Sequence, residues 1–322
     1  IGLESAAVLA HEGLAVQIVD SGPLGANIAR TFPPHTRFFT SPERLSLFGL
    51  AIAPLHQEKL TGEEYLAYLR QYVATHDLRV DTFTEILSGA RQPVKVVGRT
   101  LSGQRRVYSA DTLVLATGGT DRPRRLGVPG EDLPHVRSHL GDPHRYAGRR
   151  VVIVGGRNSA VESALRCYRV GAHVHLVHRR SHIHERVKFW LRPEVQSLLD
   201  EGVITGHLPG EVAEITPEAV VLSDGRRLEA DDVVLQIGYE QDGALFDMFG
   251  VPRDGVRKAP VIDPDTMRAA EDLYVVGTAT AGTQDRFEVF IENSHDHAGR
   301  VAAALAGRAA PSPRPARPIP EV

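Results

Sequence analysis

Short apolar runs that end in glycine or a polar turn alternate with segments of helical spacing along the chain. Val151–Val154 is a β-branched run typical of a central strand in a parallel sheet, where both faces are buried. Positions 161–165 follow with helical spacing, Gly171 ends that helix, and Ala172–Val177 is the next apolar run. The pattern therefore predicts a strand, a helix and a second parallel strand.

The chain opens on a similar pattern. Residues 1–10 predict a helix already under way, and Leu14–Asp20 predicts a buried strand that ends in an acid. In a complete dinucleotide-binding unit, a strand and a Gly-x-Gly-x-x-Gly turn precede such a helix, and the acid follows roughly 20 residues later. Gly2 fits the last glycine of the turn and Asp20 fits the acid, which places the missing first strand on the order of 10 residues upstream. The alternative is an ordinary helix and strand.

A glycine turn links the strand and the helix in the middle of the chain. Gly155 permits a tight turn, Gly156 lets the backbone approach a pyrophosphate, and Ala160 lets the helix pack close to the strand. Asn158 and Ser159 stand at the helix start, where exposed N–H groups hold phosphate. The turn therefore predicts a nucleotide-binding site.

Basic residues follow the second strand of this unit. An acid at this position would accept the ribose 2′-hydroxyl of NAD, whereas arginine favours the 2′-phosphate of NADP. Arg179 and Arg180 occupy the strand tip, and Lys188 lies nearby in the sequence. These basic residues predict an NADPH site. Arg157 departs from the strict glycine spacing, because it occupies the position of the middle glycine. A nucleotide-free α/β unit with a solvated basic face is the alternative.

Further predicted strands on both sides of this unit indicate that it is inserted into a larger domain. Asp111–Gly119 and Leu273–Gly282 predict strands that lead into small-residue turns, Val233–Tyr239 predicts a return strand, and Phe287–Leu305 predicts a last helix. This order predicts an α/β fold with two Rossmann-like dinucleotide-binding domains, the second inserted into the first.

The length of 322 residues allows both domains. We expect a discontinuous FAD-binding domain over 1–118 and 240–308 and an NADPH-binding domain over 119–239. The composition of the tail, 309–322, which is rich in Pro and Arg, predicts that this segment is disordered.

Composition narrows the class of protein. Hydrophobic residues make up 42% and charged residues 24%, which excludes a disordered, collagen-like or coiled-coil chain. The net charge is -3 without a long basic run, so we expect no nucleic-acid partner. Neither a membrane-spanning run nor a signal peptide is evident. We therefore expect a cytoplasmic protein, and a homo-oligomer.

The single cysteine, Cys167, rules out a disulfide framework and a Cys-x-x-Cys redox pair within these residues. A buried cysteine is usually a small apolar filler, so we expect no redox role for Cys167. The 15 histidines include close pairs such as His173 and His175, but their spacing does not match a known metal motif. We expect no metal site.

From residue 1 to about residue 308, the chain resembles the thioredoxin-reductase-like flavoproteins and, more closely, the bacillithiol disulfide reductase (YpdA-type) family. The most specific parts of the resemblance are Pro34–Ser41, Gly155–Glu162, Val187–Pro193 and Phe290–Asn293. The family tolerates a basic residue at the position of Arg157.

The resemblance implies FAD in the first domain and NADPH in the second, with electrons passing from NADPH through the flavin to the disulfide of a small thiol. It implies that Gly2 and Asp20 hold FAD phosphates and ribose, and that Phe39 and Thr40 lie beside the isoalloxazine. The start of the last helix, near Phe290, would face the pyrimidine side of the flavin. Lining positions would be Thr117, Gly118, Gly277 and Thr278. Because the cofactor carries the redox chemistry, no catalytic residue is assigned.

Two positions depart from relatives of this kind. Well-known family members carry a cysteine just before the glycine matched by Gly2, and here that position is Ile1. A mechanism through that thiol is therefore closed to this chain. Thioredoxin reductases carry an acid after the glycine of the last strand, and here the residue is Thr278. The bacillithiol-type family also lacks that acid, which supports the closer resemblance.

Three functions remain open from the sequence. The first is an NADPH-dependent flavoprotein that reduces a low-molecular-weight disulfide. The second is a ferredoxin- or flavodoxin-NADP reductase, whose partner would be a small electron-carrier protein, and the absence of a dithiol motivates it. The third is a non-catalytic nucleotide-binding redox module.

Overall fold

The computed structural model describes residues 1–56, 58–285 and 287–312. Within them the chain forms two compact units. The first unit contains residues 1–29, 35–122 and 239 onward, and the second contains 30–34 and 123–238. The predicted tail from residue 313 lies outside the described residues. The assignment of one unit to FAD and the other to NADPH remains a prediction.

The first segment of the first unit mixes helices with short strands. Its helices are α1 (Gly2–His11), α2 (Ala26–Thr31), α3 (Pro42–Leu45) and α4 (Gly62–Thr75). Its strands are β1 (Ile18–Val19), β2 (Val80–Asp81), β3 (Thr84–Ala90), β4 (Val94–Thr100), β5 (Arg105–Ala110), β6 (Leu113–Leu115) and β7 (Arg122–Pro123). Strands β1 and β2 pair in parallel, and β3, β4 and β5 form an antiparallel meander. The capping box at Thr61, whose hydroxyl and Glu64 exchange hydrogen bonds, starts α4.

The second unit is built around a parallel sheet. Its strands are β8 (Val136–Arg137), β9 (Arg150–Val154), β10 (His173–Val177), β11 (Thr205–His207), β12 (Val212–Ile215), β13 (Ala219–Leu222), β14 (Arg227–Glu229) and β15 (Asp232–Leu235). Its helices are α5 (Asn158–Arg169) and α6 (Arg192–Asp200), with a 3₁₀ turn at Pro143–Tyr146. The sheet order is β11-β10-β9-β15-β8, and β12, β13 and β14 form a separate antiparallel sheet.

This parallel sheet is the Rossmann-like arrangement that the sequence predicts. Strand β9 lies at its centre and is buried from Val151 to Val154. It pairs in parallel with β10 on one side and with β15 on the other. Its β-branched residues fill both faces: α5 and α6 pack on one face, and the antiparallel sheet of β12, β13 and β14 packs on the other. The predicted α/β fold is confirmed.

The chain then returns to the first unit. The remaining strands are β16 (Tyr239–Glu240), β17 (Arg253–Asp254), β18 (Ala259–Pro260), β19 (Arg268–Ala270) and β20 (Leu273–Val275). The remaining helices are α7 (Ala244–Met248) and α8 (Asp296–Leu305), with 3₁₀ turns at Gly277–Ala281 and Ile291–Asn293. Strand β20 pairs in parallel with β6, which brings the ends of two predicted nucleotide-site strands side by side.

The predicted last helix, Phe287–Leu305, is too long. A 3₁₀ turn at Ile291–Asn293 and a separate helix from Asp296 replace it. The Asn293 side chain accepts a hydrogen bond from the N–H of Phe290 at 2.8 Å, and the Ser294 hydroxyl donates to the Phe290 carbonyl at 2.6 Å. These side chains take up backbone groups that a continuous helix would use, so the helix begins later.

The strands of the first unit are also shorter than predicted. Leu14–Asp20 yields only Ile18–Val19, and Leu273–Gly282 yields a strand to Val275 followed by a 3₁₀ turn. Within the described residues, no helix is both long and apolar enough to cross a membrane.

Candidate functional site

The glycine turn after β9 is tightly packed. Gly155 has φ +144°, a conformation that L-residues with a side chain rarely adopt. A Cβ at Gly155 would collide with the carbonyl oxygen of Gln236 and would lie 2.9 Å from the Cβ of Ala160. The close approach of α5 to β9 that the sequence predicts at Ala160 is therefore present.

The neighbouring glycine faces a histidine. A Cβ at Gly156 would lie 2.5 Å from Cγ of His178, so the imidazole ring lies directly against this backbone. Burial, assisted by the positive charges of Arg179 and Arg180, lowers the pKa of His178 to about 4. The ring is therefore neutral near pH 7. The sequence alone did not connect His178 with the turn, because only the fold of β10 brings the two together.

A loop after β10 closes over the same turn. The N–H of His184 donates to the carbonyl of Gly156 at 2.8 Å, and the Asn158 side chain accepts from the N–H of Lys188 at 2.7 Å. Asn158, half-buried at the start of α5, therefore fixes the loop. Ser159 is exposed in the first turn of α5.

The structure separates the three predicted basic residues. Arg179 and Arg180 are exposed after β10, and neither forms an ion pair within the described part of the chain. Lys188 is buried, and its Nζ lies 2.9 Å from Oε2 of Glu162. This internal ion pair gives Lys188 a different partner from the phosphate that the sequence predicts. The lysine and a further arginine, Arg166, hold the pKa of Glu162 below its usual value against the effect of burial.

A histidine pair lies at the edge of the same sheet. Nδ1 of His175 and Nε2 of His207 are 3.0 Å apart, and the Arg226 guanidinium donates to Nδ1 of His207 at 3.0 Å. Because Nδ1 of His207 accepts, its Nε2 carries the hydrogen and donates to His175. Burial, with a smaller contribution from His175 and Arg226, lowers the pKa of His207 to about 4.

We expect this pair to make the protein sensitive to acid. An unfolded histidine takes up its proton near pH 6.5, whereas folded His207 does so only near pH 4. The unfolded state binds more protons between these values, so the free energy of unfolding falls as the pH drops through this window. The expected loss from His207 is on the order of 1–2 kcal/mol at pH 5. Urea unfolding at pH 7 and pH 5 measures it.

The matched variants are H207Q and H182Q. Removing His207 should reduce the pH dependence, to which His178 and His297 also contribute, whereas H182Q should leave it unchanged because His182 is exposed. Equal pH slopes in wild type and H207Q would contradict the assignment.

In the first unit, two strand ends form a cluster around the start of α1. A Cβ at Gly2 would lie 3.0 Å from the Cβ of Ala116, and one at Gly277 would lie 3.0 Å from the Cβ of Ile1. The N–H of Gly277 donates to Nδ1 of His297 at 3.0 Å. Burial lowers the pKa of His297 to about 4, so its ring is a neutral acceptor for this bond near pH 7. The structure therefore brings Gly2 and Gly277, 275 positions apart in the sequence, to one side of the unit.

Some polar groups of this cluster form hydrogen bonds within the protein, and others do not. Nε2 of Gln241 donates to the carbonyls of Gly118 at 2.9 Å and Ala279 at 2.8 Å, which ties the two strand-end turns together. Oγ1 of Thr117 is buried and has no hydrogen-bond partner among the described residues. A buried hydroxyl of this kind is costly unless a ligand or water satisfies it. Thr278 packs against Gly119, with its carbonyl 3.2 Å from the Cβ position of that glycine.

Gln241 is a residue that sequence reasoning missed. It lies just after a boundary between the units, where neither periodicity nor a motif marks it. Only the pairing of β6 with β20 creates the two carbonyls that Gln241 bridges.

Asp20 lies at the tip of β1, as predicted. Its Oδ1 accepts a hydrogen bond from the N–H of Gly22 at 2.8 Å. Burial raises the pKa of Asp20, and the Gly22 hydrogen bond partly opposes this shift. The half-buried carboxylate retains a second oxygen that can accept a hydrogen bond from a ligand hydroxyl.

The aromatic loop divides into a buried and an exposed ring. Phe38 is buried and packs edge-on against Tyr65, with ring centroids 5.0 Å apart. Phe39 is 37% exposed, and Lys59 donates to its carbonyl at 2.6 Å. The Thr40 hydroxyl donates to Oε1 of Glu292 at 2.8 Å, which joins this loop to the 3₁₀ turn after Phe290.

Phe290 does not stand at a helix start, as the sequence predicts. It precedes the 3₁₀ turn at Ile291–Asn293, and α8 begins at Asp296. Its ring is 40% exposed and lies 6.1 Å from that of Phe287, measured between centroids. A helix dipole at Phe290 is therefore absent from the described structure, and α8 presents its positive end from Asp296 onward.

The whole sequence is similar to proteins of one known family. The family model described as pyridine nucleotide-disulphide oxidoreductase matches residues 1–277. Bacilliredoxin reductase Bdr of Bacillus subtilis (strain 168) is 30% identical over 314 residues, which cover 95% of each chain.

Two solved structures of similar proteins superpose well. Bacillithiol disulfide reductase Bdr (YpdA) from Bacillus cereus has a TM-score of 0.89 at 30% identity and covers 95% of both chains. The Staphylococcus aureus protein of the same description has a TM-score of 0.87 at 28% identity, over 95% of this chain and 94% of its own.

Proposed function

The chain belongs to the pyridine nucleotide-disulphide oxidoreductases and, within them, to the bacillithiol disulfide reductase (Bdr, YpdA) family, and on this premise we propose that it is an NADPH-dependent flavoprotein that reduces a low-molecular-weight disulfide. The similarity extends over 95% of the chain and of its relative, so it covers both units. The observation that supports this function most directly is the pair of close-packed glycine clusters, at Gly155 in one unit and at Gly2 and Gly277 in the other.

The residues of the first unit fit FAD. Thr117 offers a buried hydroxyl without a partner among the described residues, and Asp20 offers a carboxylate oxygen at a strand tip. Gly2 starts α1, whose first N–H groups attract a pyrophosphate. Phe39 and Thr40 would lie beside the ring system, as the family resemblance implies.

The residues of the second unit fit NADPH. Gly155 and Gly156 form a side-chain-free turn at the start of α5, and Arg179 and Arg180 carry charges that a 2′-phosphate would pair with. The buried Lys188 instead supports the loop over the turn.

The proposed reaction converts NADPH, a proton and one disulfide into NADP⁺ and two thiols. When bound, FAD supplies the two-electron connection between NADPH and the disulfide. The chain's own residues bind and orient the two cofactors. Asp20 would accept a hydrogen bond from a ribose hydroxyl, Thr117 would donate its hydroxyl hydrogen to the cofactor, and neutral His178 covers the Gly156 backbone without adding to the positive charges beside it.

The only thiol in this chain is unsuited to the reaction. Cys167 is fully buried in α5, and burial raises its pKa to about 12. A thiolate is the reactive form, so Cys167 is inert near neutral pH. We expect C167A to retain disulfide reductase activity within about twofold, with a modest loss of stability of about 1 kcal/mol. Steady-state NADPH oxidation and thermal unfolding measure the two effects. Loss of turnover at unchanged stability would show that Cys167 takes part.

The proposed function is tested with purified protein and bacillithiol disulfide. A flavin absorption spectrum that bleaches with NADPH and recovers when the disulfide is added is the expected result. Ferredoxin and flavodoxin are the comparison acceptors. NADPH oxidation that requires one of these carriers, with no turnover of the disulfide above the oxidase background, would favour the ferredoxin-NADP reductase alternative instead.

A cytoplasmic location and a homo-oligomeric state remain proposals from the sequence. Analytical ultracentrifugation of the flavin-loaded protein tests the second of them.

A further inference from the structure

A buried carboxylate lies where α1 begins in the first unit. Glu4 is in the first turn of α1 and is 0% exposed, although glutamate is rarely fully buried without a partner. Its Oε1 accepts a hydrogen bond from the N–H of Phe48 at 3.0 Å, and its Oε2 lies 2.8 Å from Nδ1 of His295. Both carboxylate oxygens therefore have a partner inside the fold.

The bonds of His295 define its charge. Nδ1 faces the Glu4 carboxylate, and Nε2 lies 2.8 Å from the carbonyl oxygen of Arg44. With Glu4 as a carboxylate both partners are acceptors, so both ring nitrogens carry hydrogen in these bonds. His295 is then an imidazolium, and it forms a buried ion pair with Glu4, with its own side chain only 11% exposed.

The position of the pair relative to two helices stabilises the carboxylate. Glu4 lies in the first turn of α1, and His295 is the residue that precedes α8. The positive end of the α1 dipole therefore favours the negative charge of Glu4, whereas a lone cation at the start of α8 would be unfavourable. The imidazolium is tolerated at this place because Glu4 neutralises it.

The pair joins three segments that surround the proposed flavin site. Glu4 belongs to the helix that Gly2 begins, while Arg44 and Phe48 follow the aromatic loop. His295 leads into α8, where the next residue but one, His297, accepts the hydrogen bond from Gly277. The ion pair thus fixes the separations between the turns at Gly2 and Gly277 and the segment after Thr40.

We infer that Glu4 and His295 are positioning residues of the FAD site, which hold its three segments in the binding geometry before the cofactor arrives. The inference rests on the proposed function. Neither side chain has a free polar atom directed at a ligand, so the pair acts through the segments that it joins. Preorganisation of this kind lowers the cost of ordering a site on binding.

The decisive variant is H295Q. It leaves the buried carboxylate of Glu4 without its counter-charge, and we expect the dissociation constant of the apo-protein for FAD to rise at least tenfold. The double variant E4Q/H295Q removes both charges, so it should bind FAD more tightly than H295Q does. Quenching of flavin fluorescence during titration of the apo-protein measures each constant.

Two control variants separate positioning from general stability. In E12Q, the exposed Glu12–Arg308 pair, which also joins α1 to the end of α8 at 2.5 Å, is lost, and FAD affinity should not change. In V94A, a buried side chain of β4 in the core cluster of Leu115 and Val275 is shortened, which lowers the melting temperature without changing a residue of the three segments. The absorption spectrum at saturating FAD should be altered in H295Q and normal in V94A.

The outcomes are distinct. H295Q that binds FAD as tightly as wild type, or V94A that weakens FAD binding as much as H295Q does, overturns the positioning role. A wild-type apo-protein that binds no FAD overturns the proposed function as well. NADP⁺ binding, measured by calorimetry, should be the same in all these variants, and its loss in H295Q would show global misfolding rather than a local effect and would also overturn the role.

Discussion

The double variant R179A/R180A is expected to lose most of its preference for NADPH over NADH. Both arginines are exposed at the tip of β10 and form no ion pair within the described residues, so their full charge is available to a 2′-phosphate. Charge-assisted hydrogen bonds contribute about 1.5–3 kcal/mol each, so removal of both should lower kcat/KM for NADPH by roughly 100-fold. The value for NADH should stay within about threefold of wild type.

A second measurement on the same variant does not depend on turnover. Arg179 and Arg180 help to lower the pKa of His178 to about 4, so their removal should raise that pKa toward its usual value. Titration of the histidine by NMR detects this shift. A variant in which the His178 pKa rises but the NADPH preference is intact would show that these arginines face the turn without reading the phosphate.

The matched control for this variant is R169A/R227A. It removes two positive charges from exposed arginines of the same unit, and both of these residues already pair with glutamates. We expect its nucleotide preference to equal that of wild type. An equal loss in both double variants would indicate a general electrostatic effect rather than a phosphate site.

G155A is expected to have a large effect on the second unit. The new Cβ would meet the Gln236 carbonyl oxygen, which belongs to the backbone after β15 and cannot rotate away. The φ of +144° adds conformational strain. A combined cost of about 3 kcal/mol or more corresponds to a fall in melting temperature of roughly 6–12 °C, with loss of NADP⁺ binding.

Gly171 offers the control for backbone strain alone. It has φ +82°, but no atom lies within 4 Å of its Cβ position. We expect G171A to cost about 1 kcal/mol and to leave NADP⁺ binding intact. Differential scanning calorimetry and isothermal titration of NADP⁺ compare the two variants. Equal losses in G155A and G171A would mean that strain, not the close packing of the turn, decides the result.

G155A and R179A/R180A also test two parts of the same proposed nucleotide site. Gly155 determines how closely the backbone of the turn can approach the phosphates, and the arginines determine which nucleotide is preferred. Loss of all nucleotide binding in G155A together with altered preference in R179A/R180A would place both functions in a single site of the second unit.

Local residue patterns in the sequence were sufficient to predict the main features of the second unit. Val151–Val154, the turn at Gly155 and the helix that ends before Gly171 all lie within a few residues of one another. Burial on both faces of a strand selects β-branched residues, and a tight turn selects glycine, so each feature leaves a local mark. The parallel sheet and its glycine turn could therefore be predicted.

The first unit was predicted less well because its site is assembled from distant segments. The last helix begins at Asp296 rather than Phe287, since the Asn293 and Ser294 side chains take up backbone groups that helical periodicity does not reveal. The strands β1 and β6 are short, which the apolar runs around them do not indicate.

The sequence by itself determined the fold class, the order of the two nucleotide-binding patterns and the family resemblance, because these depend on residue types at short, regular spacings. The tertiary structure alone decided that Lys188 pairs with Glu162, that Gln241 ties two strand ends together, and that Glu4 meets His295 across 291 positions. A contact between distant residues depends on how the intervening chain folds back. A carboxylate and an imidazole carry no mark in the sequence of the partner that the fold will give them.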